Sequence, residues 1–572
     1  MTKKITSLLV AVIAFAAAAS ACTNFLVGKN ASTDGSTFVT YSADSYWLYG
    51  ALYHYPAATY PEGTKLKINE WDTGNYLGEI DQVTRTYNVI GNMNEHQLTI
   101  GETTFTGREE LIDTTGIMDY GSLIYVTLQR AKTAREAIAT MVGLVEKYGY
   151  YSSGESFSIV DPNEVWIMEL IGKGPGNKGA VWVARRIPDD CVSAHANQAR
   201  ITTFPLESRK DKSTISSKNI KKIYNPEVTT VYAHDVISFA RDRGYFDGKD
   251  AEFSFSDTYN PLDFGGVRFC EARVWSFFRE CDPAMNKYLS YIECKTKERM
   301  PLWIKPVKKV SVKDLMKAMR NHYEGTPLDM TTSMGCGPYN SVYRMTPLTY
   351  KFNGKEYYHE RPVGTQQTGF TFVAQMRSFM PSPIGGVLWF GVDDATCNVY
   401  VPMYASMTKV PKSFSEKTAN ILRFSWESAF WVNNWVAEMV YNRYSELMPV
   451  VEKAQHELEG LFFEQLKDND NRAMQLLKAN DPELIPSLTK FSLRQAERAH
   501  KEWQELGQYL MVKFLDGTVK GEKNGRFLEN DKHVPQEVKR PGYTKEYIER
   551  ELVSPDPERY RVLTKEEMDN RK

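Results

Sequence analysis

The chain has 572 residues, 42% of them hydrophobic and 25% charged, with a formal net charge of −1. That length exceeds one typical domain, and the balance is that of an ordinary globular protein. No basic cluster offers a nucleic-acid footprint, and beyond Ala21 no apolar run approaches the roughly 18 residues of a membrane span.

Lys3 and Lys4 precede an uncharged run over 5–21, apolar at its centre over 8–18 and closed by the small-x-small triplet Ala19-Ser20-Ala21. This is the pattern of a cleaved export signal, expected to occupy 1–21. Cutting there makes Cys22 the first residue of the mature chain. An N-terminal cysteine carries a thiol and an α-amine together, and an amine of pKa about 8 can take the thiol proton near neutral pH. Nucleophile and base would be one residue. Ala19-Ser20-Ala21-Cys22 also fits a lipoprotein box, with Ala19 a weak substitute for the usual leucine, and in that fate the cysteine would carry lipid.

In chain order, 23–27 reads as a buried strand, Asp34-Gly35 as a turn and 36–41 as a second strand, so the cysteine opens a hairpin. Strands are expected at 123–128, 157–160, 165–171 and 181–185. Thr133-Ala134-Arg135-Glu136 is a capping box opening an amphipathic helix that stops near Tyr148-Gly149. A helix over 232–243 ends at Gly244, and Ser311-Val312-Lys313-Asp314 caps another running to about 323. Late strands fall at 370–375, 387–392 and 398–401, the last two joined by a turn at Asp393-Asp394-Ala395-Thr396.

Beyond Lys412 the texture changes. Helices are expected over 414–447 and 450–466, with Pro449 starting the second or kinking the first, and over 493–514. Trp431, Trp435 and Met439, with Val432, Val436 and Val440, recur every four residues, which marks a core stripe. Residues 517–572 are dense in charge, carry Pro535, Pro541, Pro555 and Pro557, and should be partly extended or mobile. Strand clusters with helices between them suit an α+β fold of packed sheets covered by helices.

Several motifs read more plainly than they look. The glycine-rich 172–179 joins two strands and contains Pro175, which fits a hairpin loop better than a phosphate loop. Cys191 and His195 lack a second pair to complete a metal site, and no HExxH occurs, so neither metal nor cofactor is expected. With Cys22 reserved, six cysteines remain, and whether Cys270 pairs with Cys281 or Cys294 is left open.

Cys22-Thr23, Asp34-Gly35-Ser36-Thr37, Ser42-Ala43-Asp44-Ser45, Asn94-Glu95-His96-Gln97, Asn197-Gln198-Ala199-Arg200-Ile201 and Arg273-Val274-Trp275 occur in that order. Together they resemble the bacterial N-terminal-nucleophile (Ntn) cysteine dipeptidases of the dipeptidase A type, relatives of secernin and the choloylglycine hydrolases. The resemblance implies a four-layer αββα sandwich over 22–410, with a helical appendage over 411–516 and the charged tail over 517–572. It implies Cys22 as nucleophile, Asp44 holding its amine, Asn197 near the scissile carbonyl and Arg273 as electrostatic support. Two departures stand out: Tyr41 replaces an arginine, and the Gly101-Glu102-Thr103 segment replaces an oxyanion-hole asparagine, leaving Thr103 as candidate donor. The expected activity is an exported peptidase acting on dipeptides or other short peptides through a thioester. An amidase for N-acyl amino acids or bile salts is the alternative within the superfamily, and a non-catalytic, membrane-anchored lipoprotein is the alternative outside it. Substrate side-chain preference and oligomeric state are not legible.

Overall fold

A computed structural model of the protein describes residues 21–553 and 556–570; all of the export signal expected over 1–21 except Ala21, and Pro555 of the tail, lie outside them. The main strands are β1 (Asn24–Val27), β2 (Thr37–Asp44), β3 (Thr99–Thr106), β4 (Gly154–Val160), β5 (Val165–Gly172), β6 (Ala180–Ile187), β7 (Val192–His195), β8 (Thr368–Met376), β9 (Gly386–Val392) and β10 (Val401–Tyr404). They form two large sheets. The first runs Trp303–Ile304, β7, β1, β2, β8, β9, β10, all antiparallel. The second is built on the β3–β4–β5–β6 meander, flanked by shorter strands, with β5 and β6 joined by the glycine-rich loop as a hairpin.

The sheets lie face to face. Every residue of β1, β2, β4, β5 and β8 is buried, the pattern of strands covered on both sides. Between the sheets the Asn24 amide donates to Glu102 O at 2.7 Å and Thr37 Oγ1 donates to Asp161 O at 2.7 Å. Helices α1 (Tyr120–Leu128) and α2 (Ala134–Tyr148) cover the second sheet. Helices α3 (Ala272–Cys281) and α4 (Val312–Met319) cover the first, where Phe25 stacks on Phe277 of α3 at 4.2 Å between centroids. The molecule is therefore α+β, with sheets inside and helices outside.

Three helices follow: α5 (Ala429–Asn442), α6 (Tyr444–Lys478) and α7 (Leu484–Lys513). They pack on the β9–β10 side of the first sheet, with Phe463 against Trp389 at 4.2 Å and Trp503 Nε1 donating to Cys397 O at 3.0 Å. On α5, Val432, Val436 and Val440 are buried while Trp431, Trp435 and Met439 flank them half-buried.

Some local expectations are corrected. Residues 123–128 are helical: almost every side of α1 is buried, so its apolar run carries no 3.6-residue rhythm and reads as a strand. The strand expected at 398–401 is β10, Val401–Tyr404, because Asp394 O turns the residues before it by accepting from Cys397 N and Asn398 N. Residue 232 ends a short strand, Thr230–Tyr232, and its helix begins at Val236. The α4 helix stops at Met319, and α5 begins at Ala429, where the Ser428 side chain accepts from Trp431 N. The break between α5 and α6 is at Arg443, in non-helical backbone; Pro449 lies inside α6, where buried Val451, Leu458 and Phe462 hold the helix despite the missing N–H. Cys270, Cys281 and Cys294 are all thiols.

Candidate active site

Cys22 sits two residues before β1 and is 1% exposed. The carbonyls on either side of its backbone are each gripped by a buried arginine. Arg273 Nη1 donates to Cys22 O at 2.6 Å and to Thr23 Oγ1 at 2.8 Å. Arg361 Nη2 donates to Ala21 O at 2.6 Å and to Asp44 Oδ2 at 2.5 Å. Both guanidinium groups reach across from other elements, Arg273 from α3 and Arg361 from the approach to β8, so the tertiary fold fixes the backbone of Cys22.

Each grip has its own support. Asp44, the last residue of β2, also accepts from Thr368 Oγ1 at 2.6 Å and Ser42 Oγ at 3.1 Å, and its backbone carbonyl accepts from Ala21 N. Arg273 Nη2 donates to Asn197 Oδ1 at 2.9 Å and to Ala196 O at 3.0 Å, while its Nε returns to Phe269 O. Phe269 belongs to a π-helical segment, Gly266–Glu271, leading straight into α3, a local widening often found at functional sites. Asn197 takes a positive φ of 67°, which asparagine tolerates better than most residues, and its Nδ2 donates to Thr104 O at 2.7 Å. Burial, then the charge of Arg361, lowers the Arg273 pKa.

The thiol side is different in character. Cys22 Sγ lies 3.5 Å from Glu102 Oε1 and 3.8 Å from the Tyr41 hydroxyl, which itself donates a short hydrogen bond to the same Glu102 oxygen. Burial pushes the Glu102 carboxyl up; Glu155 beside it is pushed further, by burial first and the charge of Glu102 second. Two adjacent buried carboxyls with no cation beside them among the described residues cannot both ionise, so the pair holds a proton between them. Burial, with Cys22 and Glu102, likewise raises Tyr41 and keeps its phenol protonated.

A family model for peptidase family C69 matches residues 21–457 of this sequence. The chain belongs to peptidase family C69. This C69 peptidase is 26% identical over 408 residues to a probable dipeptidase of Salmonella dublin, covering 68% of this chain and 81% of the relative. It is 25% identical over 469 residues to dipeptidase A of Lactobacillus helveticus, covering 76% and 85%. A dipeptidase of Bifidobacterium longum matches at 22% over 474 residues, covering 76% and 80%.

Of the residues singled out in the C69 sequence, Asp44, Asn197 and Arg273 converge on Cys22. Thr103 does not join them. Its hydroxyl pairs with His195 Nδ1 at 2.7 Å, because successive residues of β3 point to opposite faces and it is Glu102 that reaches the thiol. His195 is closed off by hydroxyls on both nitrogens, Ser158 Oγ taking Nε2 at 2.7 Å, and burial with Arg200 holds its pKa at about 3. The Asn94-Glu95-His96-Gln97 motif builds a turn: Asn94 Oδ1 accepts from His96 N and Leu98 N, and its amide anchors to Leu128 O and Ala131 O. That turn feeds directly into β3. Arg361 and Glu102 are the site residues that sequence reasoning passed over.

Proposed function

We propose that this C69 peptidase is an exported dipeptidase whose nucleophile is Cys22, N-terminal after removal of Ala21. The observation that carries the reading is the pair of buried arginine grips on the carbonyls of Ala21 and Cys22, which hold the residue to be freed and the bond to be cut in fixed positions. Two sheets face to face with helices outside support the four-layer αββα arrangement of the Ntn hydrolases. Cleavage after Ala21 would leave Asp44 and Arg361 beside the new α-amine, with the carboxylate able to orient it.

In this mechanism the amine takes the thiol proton as Sγ attacks the peptide carbonyl carbon, giving a tetrahedral oxyanion. Asn197, oriented by Arg273, is the proposed oxyanion donor. The ammonium then protonates the leaving amine as the C–N bond breaks, and a thioester remains. Water, deprotonated by the same amine, attacks the thioester carbon and expels the Cys22 thiolate, which recovers its proton. The relatives' names support dipeptides as substrates, and a cavity of about 310 Å³ lined by Tyr41, whose hydroxyl approaches the thiol, suits a small peptide better than a bile salt. The lipoprotein reading conflicts with a thiol enclosed between Tyr41 and Glu102.

The test compares three proteins on a dipeptide panel: one beginning at Cys22 with a free amine, one retaining Met before Cys22, and Cys22→Ala. Only the first should turn over, the others falling by about 10³-fold or more with unchanged folding. Substantial hydrolysis by Cys22→Ala would sink the mechanism.

A further inference from the structure

Tyr41 faces two ways. Its hydroxyl approaches the Cys22 thiol, and it also lines the neighbouring cavity of about 310 Å³. The cavity walls are aromatic: Trp71 packs against Tyr53 and Tyr125, each with ring centroids 4.8 Å apart, and Trp47 and Phe370 line other parts. Two carboxylates, Asp72 and Glu416, line it, and among the described residues no lysine, arginine or histidine does. Asp72 Oδ1 is oriented by the Tyr120 hydroxyl at 2.9 Å, and the loop carrying it is pinned by Trp71 N donating to Asp119 Oδ2 at 3.0 Å. Asn92, 2% exposed, also lines the cavity; its Nδ2 donates to Ile100 O at 2.9 Å, and its Oδ1 has no hydrogen-bond partner among the described residues.

Three independent features ask for the same ligand group. A carboxylate without a basic neighbour gains most from a cation. Electron-rich aromatic faces attract an ammonium placed over them. A buried carbonyl oxygen without a partner gains from an N–H donor, since leaving it unsatisfied is costly. The volume is at the small end for ligand pockets, room for about one residue of a peptide. In a dipeptide the α-ammonium nitrogen is two bonds from the scissile carbonyl carbon, so a pocket lined by Tyr41, whose hydroxyl lies 3.8 Å from Cys22 Sγ, is placed to read it.

We infer that this cavity is the subsite for the first residue of the substrate, with Asp72 as the counter-charge to its free α-ammonium and Asn92 Oδ1 as an acceptor. Asp72 is thus a specificity-determining residue that excludes N-blocked peptides. The assignment rests on the reading of Cys22 as the nucleophile of a dipeptidase.

Two measurements on the mature protein separate the subsite from that reading. The first is kcat/KM for Phe-Ala and Lys-Ala, their N-acetyl counterparts and norleucyl-alanine, in the wild type, Asp72→Asn and Tyr120→Phe. The second is calorimetric binding of L-phenylalaninol, which keeps the α-ammonium but has no carbonyl to attack, against N-acetylphenylalaninol. The wild type should prefer free over acetylated dipeptide by about 100-fold, and Asp72→Asn should raise KM and weaken phenylalaninol by about tenfold or more, with kcat and melting midpoint little changed. Tyr120→Phe should shift both in the same direction by less. A free-to-acetyl ratio unmoved by Asp72→Asn would overturn the assignment, as would a loss confined to Lys-Ala relative to norleucyl-alanine, which would make the cavity a reader of side-chain ammonium. If phenylalaninol binds through Asp72 while no peptide is cleaved, the subsite stands and the dipeptidase reading falls.

Discussion

Asp44 combines a structural with a proposed chemical task, and the two are separable by substitution. Removing its carboxylate leaves Arg361, 1% exposed, as an unpaired buried charge and Thr368 without one acceptor. Breaking a buried pair in this way costs about 3–5 kcal/mol. Asp44→Ala should therefore lose about that much stability in denaturant unfolding, with activity strongly reduced, whereas Asp44→Asn keeps an acceptor oxygen and should lose less of both. Equal activity in wild type and both variants would reduce Asp44 to a scaffold residue. Asp44, Asn197 and Arg273, which the fold gathers around Cys22, were reached through the family resemblance, each lying in one of the short motifs that carry it. Arg361 was not: it is 317 residues from Asp44, and nothing in its local sequence announces a partner. Glu102 was in view but yielded to Thr103, since choosing between neighbours on a strand requires knowing which face meets the thiol.

At the scale of elements, the distance between β1 and β3 decides how closely Glu102 approaches Cys22. Gly101 permits that approach: a Cβ there would lie 2.5 Å from Asn24 Oδ1, on the side chain that ties β1 to Glu102 O. Gly101→Ala gains β propensity, yet it must displace a buried asparagine from its hydrogen bond. Overpacking of this kind costs about 1–3 kcal/mol, so the variant should be less stable by that order and slower in peptide hydrolysis. Wild-type stability together with wild-type rate would show that the sheets can part here without consequence. Of the two strands at this contact β1 was read from its short apolar run, β3 was not read as a strand at all, and α1 was mistaken for one because burial all round erased its period. Caps were the more reliable signal: Ser311 with Asp314 makes the reciprocal box, and Thr133 accepts from Glu136 N at the start of α2.

For the molecule as a whole, the two fates open to Cys22 in the sequence make incompatible demands. A lipid anchor needs the modified cysteine at a surface, on a tether long enough to reach a bilayer. Here β1 begins two residues after Cys22, between β7 and β2 in the interior of the first sheet, and the thiol is enclosed by Tyr41 and Glu102 from the space between the sheets. A diacylglycerol on Sγ would have to displace that packing, and acylation of the amine would remove the proposed base. Both objections arise from where the fold puts the cysteine, which the signal-like segment alone does not reveal. The N-terminal peptide of protein purified from the compartment to which cells export it should therefore begin at Cys22, with mass spectrometry giving an unmodified amine and thiol. The same preparation should lose activity when the thiol is alkylated, and a form that keeps an upstream residue should be inactive because its amide nitrogen has no basic lone pair. A lipid-bearing Cys22 in protein with full peptidase activity would refute both the proposed base and the proposed nucleophile.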